Sequence, residues 1–225
     1  MRELAVLVAD EGLKQMFQAF FARDRFHLSI GCNQFDIDPS NDIKCEAAQT
    51  DGAIYKRGHI LARPMKHTHR RILIVLDRDW DGKRAKTAEE IRINIEQNLS
   101  NDWEEYAVIV IDPELECWIW ATTTADNVTY EVHPHVKQCL VYESDVPLRQ
   151  WLQDSGHWEV GESKPKDPKS AYLATIRHAR SRGSSLRPSN AIFAKIASRI
   201  SPETCIDPAF NALRDQLISW FGELA

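Results

Sequence analysis

The stretch Arg71-Ile72-Leu73-Ile74-Val75-Leu76-Asp77-Arg78-Asp79-Trp80-Asp81-Gly82 decides how the rest of the chain is read. Five consecutive branched apolar residues, Ile72 to Leu76, form the pattern of a strand buried on both faces, as in a parallel sheet. The run stops at Asp77, acids recur at Asp79 and Asp81, and Gly82 permits a sharp turn. Alternate residues of an extended chain point the same way, so these carboxylates can converge. Gathered carboxylates repel unless a cation sits among them, and hard oxygen ligands suit magnesium, manganese or calcium. In open α/β sheets ligands bind at the carboxyl ends of strands, which makes this run the candidate active site.

An EF-hand calcium loop shares the alternating acids but has a glutamate at its twelfth position, where this chain has Ala88; a strand rather than a helix also precedes the run. A haloacid-dehalogenase-type phosphatase ends a strand with two alternating aspartates, yet that pair usually opens the domain and is followed by a hydroxyl residue. A response-regulator receiver places its acids closer together than Glu11 and Asp77, which stand 66 positions apart (77 − 11).

Upstream, Leu4 to Ala9 reads as a second buried strand that ends at Asp10-Glu11-Gly12 and enters a helix with a Met16, Phe17, Phe20 and Phe21 stripe. His27 to Cys32 reads as a further strand, residues 33–50 read as loop, and Ile54 to Met65 reads as a short helix. His67 and His69, at the amino end of the central strand, read as surface or phosphate-contacting residues. Thr87 to Leu99 has the spacing of an amphipathic helix, and Tyr106 to Ile111 is a further buried strand ending in Asp112-Pro113-Glu114-Leu115-Glu116. A helix is expected from there, with Pro113 near its first turn. Val128–Val132 and Leu140–Tyr142 read as short strands, and His133 and His135 form an H-x-H pair of the kind that can bind zinc. Helices are expected over 169–181, 189–200 and 208–222.

The chain has 225 residues, 43% of them apolar, and a formal net charge of −5. That balance argues against indiscriminate nucleic-acid binding but conceals asymmetry. Between Ser163 and Arg199 nine Lys/Arg face Asp167 alone, so basic segments flank an acidic cluster, the layout for a metal-loaded site facing a polyanion. No apolar run suits a membrane span and no signal peptide is recognisable. Five scattered cysteines (Cys32, Cys45, Cys117, Cys139, Cys205) read as reduced thiols of a cytoplasmic protein.

A glutamate followed by glycine after a first strand (Val6 to Gly12), and an Asp-x-Asp ending a later strand (Ile74 to Gly82), resemble the TOPRIM domain of topoisomerases, primases, RecR proteins and OLD-group nucleases. The Asp112 to Trp120 stretch resembles the Pro-Glu-x-Glu-x-Trp segment of small stand-alone TOPRIM-like proteins of prokaryotic defence islands. The resemblance implies an α/β fold, a TOPRIM (Rossmann-like), mainly parallel sheet flanked by helices over residues 1–145, with a helical, basic C-terminal extension over 146–225. It further implies a Mg2+- or Mn2+-dependent nuclease of an antiviral defence system. Glu11 would be the general acid or base, Asp77 and Asp79 would hold the metal, and Asp81 would be a third ligand or outer support. Glu114 and Glu116 would complete a second metal site. Lys164, Lys166, Lys169, Arg180, Arg182 and Arg187 would contact the nucleic acid, DNA or RNA. A protein partner from the same operon and a homo-oligomer are compatible with this reading. Nothing marks a topoisomerase tyrosine, a primase zinc module or a P-loop. The alternatives are a non-catalytic assembly subunit, with Trp118, Trp120, Trp151, Trp158 and Trp220 suited to an interface, or a small-nucleotide phosphohydrolase.

Overall fold

The computed structural model describes residues 1–45, 50–80, 86–121, 131–200, 203 and 205–224. Four parallel strands, β1 (Arg2–Val8), β2 (Ile43–Lys44), β3 (His69–Asp77) and β4 (Glu105–Ile111), form one sheet in the order β2-β1-β3-β4. The apolar runs of β1, β3 and β4 are buried, because helices cover both faces. The protein therefore has an α/β, Rossmann-like fold.

After β1 come α1 (Glu11–Phe21) and α2 (Phe26–Ile30); α3 (Asp51–Ala62) and a 3-10 turn (Arg63–His67) lead to β3; and α4 (Ala88–Leu99) joins β3 to β4. The step from β1 to β2 and the step from β3 to β4 run in opposite directions along the sheet, so right-handed crossovers send their helices to opposite faces. Accordingly α3 and α4 pack on each other, while α1 packs against the C-terminal helix α9 (Asn190–Ala197). Thr87 closes α4 with a reciprocal capping box to Glu90.

The segment after β4 is helical: α5 (Cys117–Trp120), α6 (Pro134–Cys139), α7 (Leu148–Asp154), α8 (Pro168–Ser181), α9 and α10 (Pro208–Phe221). Its buried side chains belong to the same hydrophobic cluster as those of the sheet. Phe221 stacks on Phe35 at 3.8 Å between centroids, and the Trp120 indole donates to the Pro168 carbonyl at 2.9 Å. The extension is thus built onto the sheet through a shared core.

Four local expectations are corrected. His27 to Cys32 is not a strand: Phe26 and Ile30, four apart on α2, are the buried pair, whereas Leu28 is 45% exposed. Phe26 instead joins a ring cluster with Phe20, Phe21 and Phe35. Leu140 to Tyr142 caps and follows α6, with Val141 at φ 52°, a left-handed value that no strand contains. The short strand β2 and the helix α7 fall in stretches that carry no apolar periodicity strong enough to announce them. Of the strand expected at Val128–Val132, residues 128–130 lie outside the described residues, and Glu131 and Val132 belong to no strand.

Candidate functional site

The strand connections diverge between β1 and β3, so the carboxyl ends of these two central strands border the crevice of the sheet, the place where open α/β folds bind ligands. Asp77 is the last residue of β3. Its backbone N–H donates to Asp51 Oδ1 at 2.7 Å, and its carboxylate accepts from the Leu115 backbone N–H. The Asp77 Oδ1 atom is buried without a hydrogen-bond partner among the described residues. Burial above all, and then the charges of Asp51, Asp10 and Glu116, hold its carboxyl well above the usual carboxylate range.

The neighbours are perturbed in the same sense. Burial pushes Asp51, the first residue of α3, up to about 6. Burial and the charge of Glu114 push Glu116 up to about 7. Glu114 is itself raised, chiefly by burial, with Asp79 adding to the field. Asp10 caps α1 by accepting from the Leu13 N–H at 2.8 Å. Gly12 leaves little room for a side chain: a Cβ at that position would stand 3.1 Å from Asp10 Oδ1, a tight approach, and 3.4 Å from Asn190 Oδ1.

The carboxylates open into a cleft of about 530 Å³, with Asp10, Glu11, Gly12, Asp77, Leu115 and Glu116 on the sheet side. The opposite wall comes from the C-terminal segment, with Lys169, Tyr172, Ser189, Asn190 and Phe193. Lys169 donates its backbone N–H to Glu114 Oε1 at 3.1 Å, and its Nζ lies 3.7 Å from Glu114 Oε2. Burial pulls the Lys169 ammonium down, but Glu116, Glu114, Asp77 and Asp10 outweigh it and hold it above its ordinary value. A separate cavity of about 70 Å³ among Phe17, Trp118, Ile196 and Leu213 is almost wholly apolar and offers no chemistry.

The loops after β3 and β4 are tied together. Arg78 N–H donates to the Ile111 and Pro113 carbonyls at 2.8 and 3.1 Å, Asp79 N–H to Pro113 at 3.0 Å, and the Arg78 guanidinium pairs with Asp112 at 2.9 Å. These bonds bring Asp79 and Glu114 beside Asp77 and Glu116. Asp81 lies outside the described residues. Glu11 reaches the rim of the same cleft, but its exposed carboxylate binds Lys14 and Gln15 of its own helix at 3.4 and 3.2 Å. Asp10, one residue earlier, is the acid of this segment whose charge is felt by Asp51, Asp77 and Glu116.

As they stand, no three His, Cys, Asp or Glu side chains among the described residues are gathered tightly enough to hold a metal ion. The donor chemistry nonetheless suits a hard divalent cation: several carboxylates share one crevice, and among the described residues a buried carboxylate oxygen on Asp77 lacks the partner that buried polar atoms ordinarily have. Asp10, Asp77 and Glu116 would have to draw inward to coordinate it.

The expected basic set does not converge. Lys169 lines the cleft and Arg187 is exposed next to its wall residue Pro188. Lys164 is an internal tie instead: its Nζ donates to the Asp112 carbonyl at 2.8 Å and to Asp207 at 2.5 Å, and Asp207 also accepts from the Trp118 indole at 3.1 Å. Lys166 pairs with Glu159 at 2.7 Å on the surface. Arg180 and Arg182 stand at the far end of α8, roughly 16 to 20 Å from Lys169 along the helix axis. Charges that are near in sequence are carried apart along the axis of α8.

The histidine expectations also change. His69 is buried rather than superficial, 3.0 Å from Asp42 and 2.8 Å from the Thr68 hydroxyl, at the end of the sheet remote from the acids. His133 caps α6 and His135 lies 2.9 Å from the Lys195 carbonyl, and among the described residues no third ligand joins them to make a zinc site. Trp118, Trp120 and Trp158 are core residues, so they present no interface. Asp10 and Asp51 are the two acids that sequence reasoning passed over. Their signals were Asp10 at the very end of the first strand and Thr50-Asp51-Gly52 opening a helix.

Comparison with protein-family models, curated proteins and solved structures gave no match.

Proposed function

We propose that this chain is a TOPRIM-like nuclease that uses Mg2+ or Mn2+ to hydrolyse phosphodiesters of DNA or RNA. One observation carries the reading. Asp77, at the sheet crevice, has a buried carboxylate oxygen without a partner among the described residues, while three further acids press on it. Such an arrangement is costly for the protein alone and is relieved by a divalent cation. The resemblance of the Asp10-Glu11-Gly12, Asp77-x-Asp79 and Pro113-Glu114-Leu115-Glu116 segments to stand-alone TOPRIM-like proteins supports a place in prokaryotic defence.

Asp77, Asp10 and Glu116 would hold the ion, with Asp79 and Glu114 beside them. The ion would supply charge stabilisation for the attacking and leaving oxygens of the phosphodiester. Asp51 fixes the Asp77 backbone through the 2.7 Å bond and so sets the aim of that carboxylate. Lys169, on the facing wall, supplies positive charge for a phosphate entering the cleft. Glu11 sits on the rim with an exposed carboxylate that can exchange protons with solvent and with the reacting water.

The test is Mg2+- and Mn2+-dependent degradation of plasmid DNA and of a long RNA by the wild type and by Asp77→Ala. Cleavage lost in the variant, with its fold intact by circular dichroism, supports the reading and identifies the polymer. Equal cleavage by both proteins overturns it.

A further inference from the structure

Trp80 and Tyr55 stack at 5.6 Å between centroids, 28° from parallel, and both rings are half-buried. The exposed Lys86 places its ammonium 5.8 Å from the Tyr55 ring centre. This pair stands beside the acidic crevice. Trp80 follows Asp77 by three residues, and its indole rests on Gly52, where a Cβ would come within 3.2 Å of Trp80 Nε1. Gly52 is the neighbour of Asp51, which binds the Asp77 backbone. Tyr55 lies four residues after Asp51 on α3, hence on the same helix face. The other large tryptophans near the site, Trp118 and Trp120, are buried in the core. Trp80 is thus a large ring kept partly open to solvent next to the acids.

We infer that the Trp80–Tyr55 pair is a stacking platform for an unpaired nucleobase, so the substrate enters as a single strand. The inference rests on the nuclease reading only in taking the cleft as the seat of a polynucleotide. An aromatic ring accepts a base by its π face, and in a duplex that face is covered by the neighbouring pairs. The Lys86 ammonium over the Tyr55 ring and Lys169 on the cleft wall offer the strand two positive charges for its phosphates. Trp80 follows Asp77 by three residues and its indole approaches Gly52, the neighbour of Asp51, so a base on Trp80 would direct the adjoining phosphate toward these acids. The platform makes no hydrogen-bond demand on the base, so the choice of base is broad.

The experiment is fluorescence anisotropy in EDTA, where no cleavage occurs. It uses a short labelled single strand and the same sequence closed into a hairpin, with wild type, Trp80→Ala, Trp80→Phe and Asp77→Asn. Wild type is expected to prefer the single strand. Trp80→Ala is expected to weaken single-strand binding about tenfold, in the range of one lost base stack, to leave hairpin binding unchanged, and to be largely rescued in Trp80→Phe. Absence of single-strand binding by the wild type, unchanged binding in Trp80→Ala, or an equal loss on both probes overturns the inference. Cleavage by the same proteins in Mn2+ separates the two readings. Trp80-dependent binding without Asp77-dependent cleavage removes the nuclease and keeps the platform; Asp77-dependent cleavage with unchanged Trp80→Ala binding does the reverse.

Discussion

The Asp77 backbone N–H donates to the Asp51 carboxylate at 2.7 Å, so the acid that opens α3 holds the end of the central strand β3. Both carboxylates are raised chiefly by burial; the charge of Asp51 raises Asp77 further, whereas the bond from the Asp77 N–H pulls Asp51 down and the charge of Asp10 pushes it up. Charge repulsion and backbone support therefore meet in one residue, and substitutions separate them. Asp51→Asn keeps an acceptor for the Asp77 N–H and removes a charge, whereas Asp51→Ala leaves that N–H without its partner. In metal-free protein Asp51→Asn is expected to match or exceed the wild type in urea stability, and Asp51→Ala to lose about 1–2 kcal/mol. Equal losses in both variants would refute this division of roles.

The acidic crevice makes stability depend on pH in a defined sense. The folded state holds Asp51 at about 6 and Glu116 at about 7, both above their ordinary values of 3.8 and 4.5. A carboxyl that binds its proton more tightly when folded stabilises the fold below its unfolded pKa, and loses that contribution as pH rises through the folded one. His133 and His178, lowered by burial, act oppositely, so the comparison is made against Asp51→Asn/Glu116→Gln. In EDTA the stability of wild type relative to this double variant should fall steadily from about pH 4 to pH 7. A flat difference across that window would contradict the buried-acid account.

Lys164 and Lys169 make opposite predictions. Lys164 binds Asp207, whose side chain is 1% exposed and which also caps α10 and accepts from Trp118. Lys164→Met is expected to cost about 2 kcal/mol, below the full value for a buried pair because the lysine is partly solvated, while leaving polynucleotide affinity unchanged. Lys169→Gln is expected to weaken polynucleotide binding severalfold and to tighten Mn2+ binding, because it removes a cation from among carboxylates. Urea unfolding and calorimetric titration on the two variants decide the assignment.

Gly12 carries a steric prediction. Its Cβ would meet Asp10 Oδ1 and Asn190 Oδ1, so Gly12→Val should displace two walls of the cleft at once. Cleavage is expected to drop at least tenfold, with a smaller effect on thermal stability than on rate. Full activity in Gly12→Val would place Asp10 outside the working site.

The three long strands β1, β3 and β4 and their acidic ends were legible because a parallel sheet buries both faces of a strand, leaving an unbroken apolar run that stops where solvent and ligand begin. The Asp77 position followed from that rule; Glu116, five residues beyond the end of β4, entered only through the Pro113-Glu114-Leu115-Glu116 resemblance. Asp51 was not legible: it enters the crevice from the start of a helix that crosses the sheet, a placement set by packing of α3 on β3 rather than by spacing. Asp10 was hidden beside Glu11, since which of two adjacent acids faces inward depends on the cap of α1. The scatter of the basic residues was equally invisible, because it depends on where α8 points and on Asp207 drawing Lys164 inward.

The central claim is that these carboxylates bind a divalent cation together. Calorimetric titration of Mn2+ into the wild type and into Asp77→Asn at neutral pH tests it most directly. Saturable binding by the wild type, abolished in Asp77→Asn while the variant remains folded, is the predicted result; equal binding by both proteins, or none by the wild type, would contradict it.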